Sequence, residues 1–246
     1  IALVVTLLVV EHLAPLRAEW RMTSRLFLRR DLPYLVIGGA TLTVINAAGV
    51  HVATHFQLAR GGAAASLPIT LGAVLAILLT DFAWYWVHRV SHEAKGRAGR
   101  FMWRVHVAHH LPAQVYVLMH VVGHPLNAII VRALLTVPLY ALGFPPESVF
   151  IAGVVTGFQG LVSHFNVDSR VGWLNYLLIG TELHRHHHSA DVNEAKNYGA
   201  VVSLWDQLFG TFHYQPGRAP KRLGVDDATL YPADVQIGKV MALPFR

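Results

Sequence analysis

Cysteine is absent from the 246 residues, which excludes disulfides, thiolate metal sites and thiol nucleophiles. Charge is scarce too. Asp, Glu, Lys and Arg make up 14% of the chain, against about 25% in an ordinary soluble domain. Low-complexity tracts are missing, and nothing repeats except a spacing of histidines. The net charge of +6 lacks the form of a nucleic-acid footprint. Five arginines (Arg17, Arg21, Arg25, Arg29 and Arg30) crowd between two apolar stretches, where a juxtamembrane reading is natural and no nucleic-acid partner is implied. The sequence opens at Ile1 inside an apolar run rather than at a methionine. Part of the N-terminus is therefore expected to precede it.

Apolar residues are abundant, at 54% of the chain. They gather in five stretches: Ile1–Leu16, Leu32–Phe56, Leu67–Val87, Pro125–Leu142 and Val149–Val162. A bilayer core takes about 20 apolar residues as a helix. The second and third stretches meet that length, and the last two read as a shorter hairpin around Gly143-Phe144-Pro145-Pro146. The expected fold is all-α and membrane-integral, with about four transmembrane helices and a cytoplasmic helical cap. The arginine-rich loop sets the orientation. With residues 17–30 in the cytoplasm, His88, His92, His164 and the later histidines all fall on that same face. The whole chain, 1–246, reads as one membrane-embedded domain with a core over about 75–215 and an irregular cytoplasmic tail over 216–246.

Sixteen histidines are the anomaly. Three clusters stand out: His88-x-x-x-His92, His106-x-x-His109-His110 and His184-x-x-His187-His188. Residues three and four apart share a helix face, so each cluster aims two or three imidazoles at one point. A lone HxxxH is more often incidental, and His51-x-x-x-His55, at the opposite face, is read as surface. His12 and His213 are read as structural or solvent-facing, and His186 as turned away from its neighbours. Eight clustered rings on one face are different, because burying them without a metal would be costly. They exceed the needs of one zinc ion, so two ions are the economical solution. His164 is a further ligand candidate, His124 a less secure one, and His120 ranks below both. Imidazole suits iron, zinc, copper and nickel, and suits magnesium or calcium poorly.

Polar residues near the clusters are candidates to orient the rings. Asp81 is the only acid inside the third stretch, with Asn166 and Asn197, then Asp191 and Asp206, as further candidates.

At this point the pattern resembles the fatty acid hydroxylase/sterol desaturase superfamily of membrane di-iron enzymes. Asp81-Phe82 with Tyr85-Trp86-x-His88-Arg89 is similar to its first box, and Trp103-x-x-His106-x-x-His109-His110 to its second. His164-Phe165-Asn166, His184-Arg185-x-His187-His188-Ser189, Asn197-Tyr198-Gly199 and Trp205-Asp206-x-x-Phe209-Gly210-Thr211 follow in the family's order. The run His120-Val-Val-Gly-His124-Pro-Leu-Asn127 departs from it, lacking the arginine and glutamate that often flank the His-Pro pair.

The resemblance implies two iron ions held by His88, His92, His106, His109, His110, His164, His184, His187 and His188. It also implies O2 as co-substrate and hydroxylation of a fatty acyl, sterol or related lipid C–H bond. A separate protein (a ferredoxin, a cytochrome b5-like carrier or a reductase) is implied as electron donor. Zinc is expected to compete for such a site in purified protein. Lipid desaturation on the same site is the alternative within enzymes, and a membrane metal-binding or transport protein the alternative outside them. Transport is disfavoured, since transporters place their ligands near the midplane.

Overall fold

A computed structural model describes residues 2–55 and 61–246, without the side chains of residues 53 and 54. Ile1 and Phe56, the ends of two expected apolar stretches, lie outside the described residues. Among the described residues the regular structure is helical, with two isolated β-bridges, Leu178 to Val202 and Ser189 to Leu223.

The elements run α1 (Ala2–Leu13), α2 (Ser24–Leu26), α3 (Leu32–His55), α4 (Ile69–Glu93), α5 (Gly96–His106), α6 (Pro125–Ala141), α7 (Pro146–Ser163), α8 (Thr181–His187), α9 (Leu204–Leu208) and α10 (Ile237–Met241). A π-helical turn, Phe27–Asp31, joins α2 to α3. Two stretches, Ala18–Val52 and Ile69–Glu93, are long and apolar enough to cross a membrane. Apolar side chains turn outward in number there and on α7. Val36 and Val44 on α3, and Phe150 on α7, are each more than 60% exposed. Such a continuous apolar surface is one that associates with a membrane.

Inside the bundle, α4 packs chiefly on α7, and α3 on α6. Close approach of the first pair depends on Gly72, where a Cβ would lie 2.5 Å from the Ser148 hydroxyl. That hydroxyl donates to the Ile69 carbonyl at 2.9 Å. The turn read at Gly143–Pro146 does separate α6 from α7. Pro125 opens α6, where its missing N–H costs nothing, and Gly96 begins α5 with a φ of 79° that a side chain would resist.

Polar groups fasten the ends of the bundle. Glu11 on α1 accepts from the backbone N–H of Val117 at 3.0 Å and of Asn166 at 3.1 Å. Buried Arg30 pairs with Asp31 at 2.9 Å and also reaches Asp234 and Tyr116. The segment 216–246, read from sequence as irregular, contains the short helix α10. Val240 and Leu243 there bury themselves against Val107 and Ala108, beside His109. Full burial of an aliphatic side chain contributes roughly 1.5–3 kcal/mol, so this contact holds the tail on the histidine-bearing turn.

Candidate metal centre

Four segments deliver the histidines. The last turns of α4 carry His88 and His92, one helical turn apart. His106 ends α5, and a 3-10 turn over Val107–His109 carries the chain to His110. His164 caps α7. The short helix α8 supplies His184 and His187, with His188 as its cap.

These nine rings form two groups. His88, His92, His106, His110 and His187 make the first; His109, His164, His184 and His188 make the second. Within each group one nitrogen per ring lies within 4.8 Å of all the others. The two HxxHH motifs are therefore interlaced. Each sends its i and i+4 rings to one group and its i+3 ring to the other.

Hydrogen bonding fixes how the rings present themselves. Nδ1 of His88 meets the Tyr198 carbonyl at 2.8 Å, and Nδ1 of His109 meets the Val122 carbonyl at 2.8 Å. Nδ1 of His164 meets the Gly160 carbonyl at 2.6 Å, and Nδ1 of His187 meets the Lys196 carbonyl at 2.9 Å. Carbonyls only accept, so Nδ1 carries the proton in each and Nε2 is left as a lone pair. Those lone pairs face one another. In the second group His109 Nε2 lies 3.0 Å from His164 Nε2, which lies 3.0 Å from His184 Nε2, which lies 3.1 Å from His188 Nε2. In the first group His106 Nε2 sits 3.0 Å from that of His88 and 3.1 Å from that of His110. His187 Nε2 sits 3.2 Å from that of His110.

The His109–His164 approach brings together two nitrogens that both lack a proton, which is repulsive unless a cation lies among them. His92 Nε2, His106 Nδ1 and His188 Nδ1 are buried without any hydrogen-bond partner. Burial also keeps the rings neutral, as metal ligands must be. It pulls His109 down to about 4 and holds His106, His110, His184, His187 and His188 well below the usual histidine value. The donor set is nitrogen throughout, which fits iron or zinc and fits magnesium or calcium poorly.

The remaining candidates lie elsewhere. His124 belongs to neither group. Its Nδ1 accepts from the Leu126 N–H at 3.0 Å and its Nε2 donates to the Met241 carbonyl at 3.1 Å, so it caps α6 and ties it to the tail. Asp81 bonds to no histidine. It accepts from the backbone N–H groups of Ala200, Val201 and Val202 at 2.8, 2.9 and 3.0 Å. That clamp fixes the loop whose Tyr198 carbonyl orients His88. Asp206 reinforces the same loop through the N–H groups of Tyr198 and Gly199, at 2.7 and 2.8 Å. Asn166 holds the backbone of Arg17, through bonds of 3.2 and 3.0 Å. Asn197 holds Leu183 and His213, and Asp191 turns its own loop at Asn193. The groups that orient ligand rings are mainly backbone carbonyls, which no residue type announces in a sequence; the Ser163 hydroxyl, 3.3 Å from His164 Nδ1, is a side chain among them.

His120, ranked low from sequence, stands with its ring 5.2 Å from that of His164. Gly160 makes room for it, since a Cβ there would lie 2.4 Å from its ring. His51 and His55 stack on each other and join neither group.

A cavity of about 420 Å3 reaches both groups, touching His88 and His106 in one and His109, His164 and His184 in the other. Its walls continue along α3 and α6 through Leu35, Leu42, Val131 and Leu135. Trp84 lines it too, packed 4.6 Å from the His88 ring.

Comparison with known proteins gives the same direction. Residues 73–211 match the family model described as fatty acid hydroxylase. An ornithine lipid hydroxylase of Rhizobium tropici is 36% identical over 159 residues, covering 64% of this chain and 46% of that protein. The alkylglycerol monooxygenase of Homo sapiens is 30% identical over 172 residues, 68% of this chain and 36% of that one. A fatty acid hydroxylase of a Lecanicillium species is 30% identical over 150 residues, 54% and 40% of the respective chains. The chain thus spans less than half the length of each of these three relatives. No solved structure matches significantly.

Proposed function

We propose, since the chain belongs to the fatty acid hydroxylase family, that it is a membrane-bound oxidoreductase which hydroxylates a lipid C–H bond with O2 at a pair of irons. The observation that carries this reading is the convergence of nine histidine rings, in two groups of facing lone pairs, at the end of an apolar cavity. The relatives' names, a lipid hydroxylase and an alkylglycerol monooxygenase among them, support the same reaction class.

One ion would sit in the five-histidine group and one in the four-histidine group. Bound iron supplies the reduction of O2 and the oxidation of an unactivated C–H bond, chemistry that no side chain here performs. The chain itself supplies positioning. The carbonyls of Tyr198, Val122, Gly160 and Lys196 hold four rings by their Nδ1 protons, so that Nε2 faces inward without rearrangement. Leu35, Leu42, Val131 and Leu135 receive a hydrocarbon tail, and the burial of the rings excludes water from the reacting carbon.

The finer topology belongs to the same proposal. The chain forms one domain, 1–246, with α3, α4 and the α6–α7 pair as about four spans. The histidine groups then sit under a cap at the cytoplasmic face, set by the arginines before α3. Electrons arrive from a separate carrier or reductase. The cavity favours an enzyme over a metal transporter, because away from the histidine groups its walls along α3 and α6 are apolar and match a lipid tail.

The test uses the iron-loaded chain in nanodiscs made from a bacterial lipid extract, with a reductase system and isotopically labelled O2. A lipid carrying one labelled oxygen, absent for His109→Ala and His187→Ala, is the expected product. Unlabelled lipids throughout would reject the proposal.

A further inference from the structure

Three of the four histidines on α8 and its cap, His184, His187 and His188, face the two groups. His186 stands between them and faces the opposite side of the helix, toward His213 and Glu194. It is only 1% exposed. Its Nε2 meets the Arg218 carbonyl at 3.2 Å, so Nε2 carries the proton and Nδ1 is the lone pair. That Nδ1 is buried and has no hydrogen-bond partner. A buried acceptor left unsatisfied costs about 1–3 kcal/mol, and nothing in the chemistry of the nine-histidine centre calls for it.

Its neighbours are metal ligands by type. The His213 ring lies 5.1 Å away, centre to centre. Glu194 accepts from the Ser189 hydroxyl at 2.9 Å through Oε2. One ligand atom from each of His186, Glu194 and His213 lies within 4.8 Å of the other two. We infer that His186, Glu194 and His213 form a third, mononuclear site for a divalent ion of the zinc class, on the outer side of α8. Two imidazoles and one carboxylate, with a fourth position open to water, are a zinc donor set. A calcium or magnesium ion would want oxygen ligands instead.

The surroundings are built to hold this geometry. Asn197, in the left-handed region at φ 62°, bonds the His213 backbone twice: Oδ1 accepts from its N–H at 2.8 Å and Nδ2 donates to its carbonyl at 2.8 Å. Nδ2 also reaches the Leu183 carbonyl at 3.0 Å, which bolts His213 to α8. The Gln215 amide lies 3.0 Å from His213 Nε2. Turned by half a rotation, its oxygen accepts the Nε2 proton and leaves His213 Nδ1 for the ion. An ion here ties α8 to the loop that carries Glu194 and Lys196. The Lys196 carbonyl is the acceptor that orients His187, so the third site braces a ligand of the first group from behind.

The experiment is zinc content per chain, on purified full chain in detergent equilibrated at a fixed free zinc concentration. Glu194→Gln keeps shape and volume, and His213→Ala removes a half-buried ring; each is expected to bind one zinc fewer than wild type. The visible spectrum of cobalt(II)-loaded wild type should lose one tetrahedral component in the same two variants. Equal zinc counts and an unchanged cobalt spectrum in both variants would overturn the site. Because the reading is a difference, it stands or falls apart from the number of ions in the nine-histidine centre. The His109→Ala/His187→Ala variant, which leaves these three residues intact, should keep that cobalt component.

Discussion

His110 and His188 stack face to face, with ring centres 4.5 Å apart and planes 27° from parallel, yet each belongs to a different group of candidate ligands. The stack is one place where the two groups touch; His184 and His187, with ring centres 5.2 Å apart, are another. The stack arises because both HxxHH motifs place their last histidine one full turn after the first, on the inner edge of the site.

Interlacing gives a non-additive pattern of metal loss. His106 and His110 serve the same group, so His106→Ala/His110→Ala should lose no more iron per chain than the worse single variant. His106→Ala/His109→Ala removes one ring from each group and should lose two. Iron content by elemental analysis checks this; equal losses in the two double variants would contradict the interlaced assignment.

His124 offers the converse. With one nitrogen capping α6 and the other bonded to the Met241 carbonyl, it has a structural task. His124→Ala is expected to cost about 1 kcal/mol, the usual worth of a helix cap, and to leave the iron count unchanged. A thermal melt and a metal assay on the same sample decide it, and lost iron would place His124 among the ligands.

Asp81 is expected to act through stability. Its carboxylate receives three backbone N–H groups, and Asp81→Ala strands them in the interior. A loss of about 2–4 kcal/mol follows, given 1–3 kcal/mol per buried unsatisfied group and partial relaxation. The unfolding midpoint in detergent should drop accordingly; an unchanged midpoint would mean the loop 200–202 holds itself.

Acid should destabilise the metal-free protein. Burial lowers the folded-state value of His109 to about 4 and moves His184 and His187 in the same direction, while the unfolded rings titrate near 6.5. Above about pH 6.5 both states hold neutral rings and stability is flat. Below it the unfolded chain takes up protons that the folded one refuses. Stability then falls by about 1.4 kcal/mol per pH unit for each such ring, until the folded-state value is reached. Melting curves of metal-free protein between neutral and mildly acidic pH read this directly, and a flat profile would contradict it.

The cavity makes its own demand. Gly39 lines it, and a Cβ at that position would meet nothing within 4 Å. Gly39→Phe should therefore fold and keep its metal while obstructing a lipid tail. A fall in kcat/KM of at least about 10-fold, or 1.4 kcal/mol, is expected in the labelled-oxygen assay; unchanged turnover would move the substrate route elsewhere.

Much of the site was legible because helical spacing is so regular. His88 and His92, one turn apart on an apolar helix, could be placed from the sequence, as could the two HxxHH motifs and His164. Their division into two groups could not. It depends on the break from α5 into a 3-10 turn at Val107, which redirects His109 away from His106. The loop clamps at Asp81 and Asp206 were equally hidden, because their partners are backbone N–H groups about 120 residues away for Asp81 and across a tight loop for Asp206. Read singly, His186 is turned away from its neighbours and His213 is structural or solvent-facing. Only the fold brings them beside Glu194, since the 26 residues between the two histidines carry no periodic signal. Membrane character was plain from α3 and α4, whereas α6 and α7 remain short for a bilayer in sequence and structure alike.

The most direct measurement of the central claim is iron bound per chain in wild type minus that in His109→Ala/His187→Ala, both loaded anaerobically. The variant removes one ring from each group and leaves the outer side of α8 intact, so the difference counts only the ions held by the nine histidines. A difference of two is the expected result. A difference of one or none would contradict a paired-iron centre.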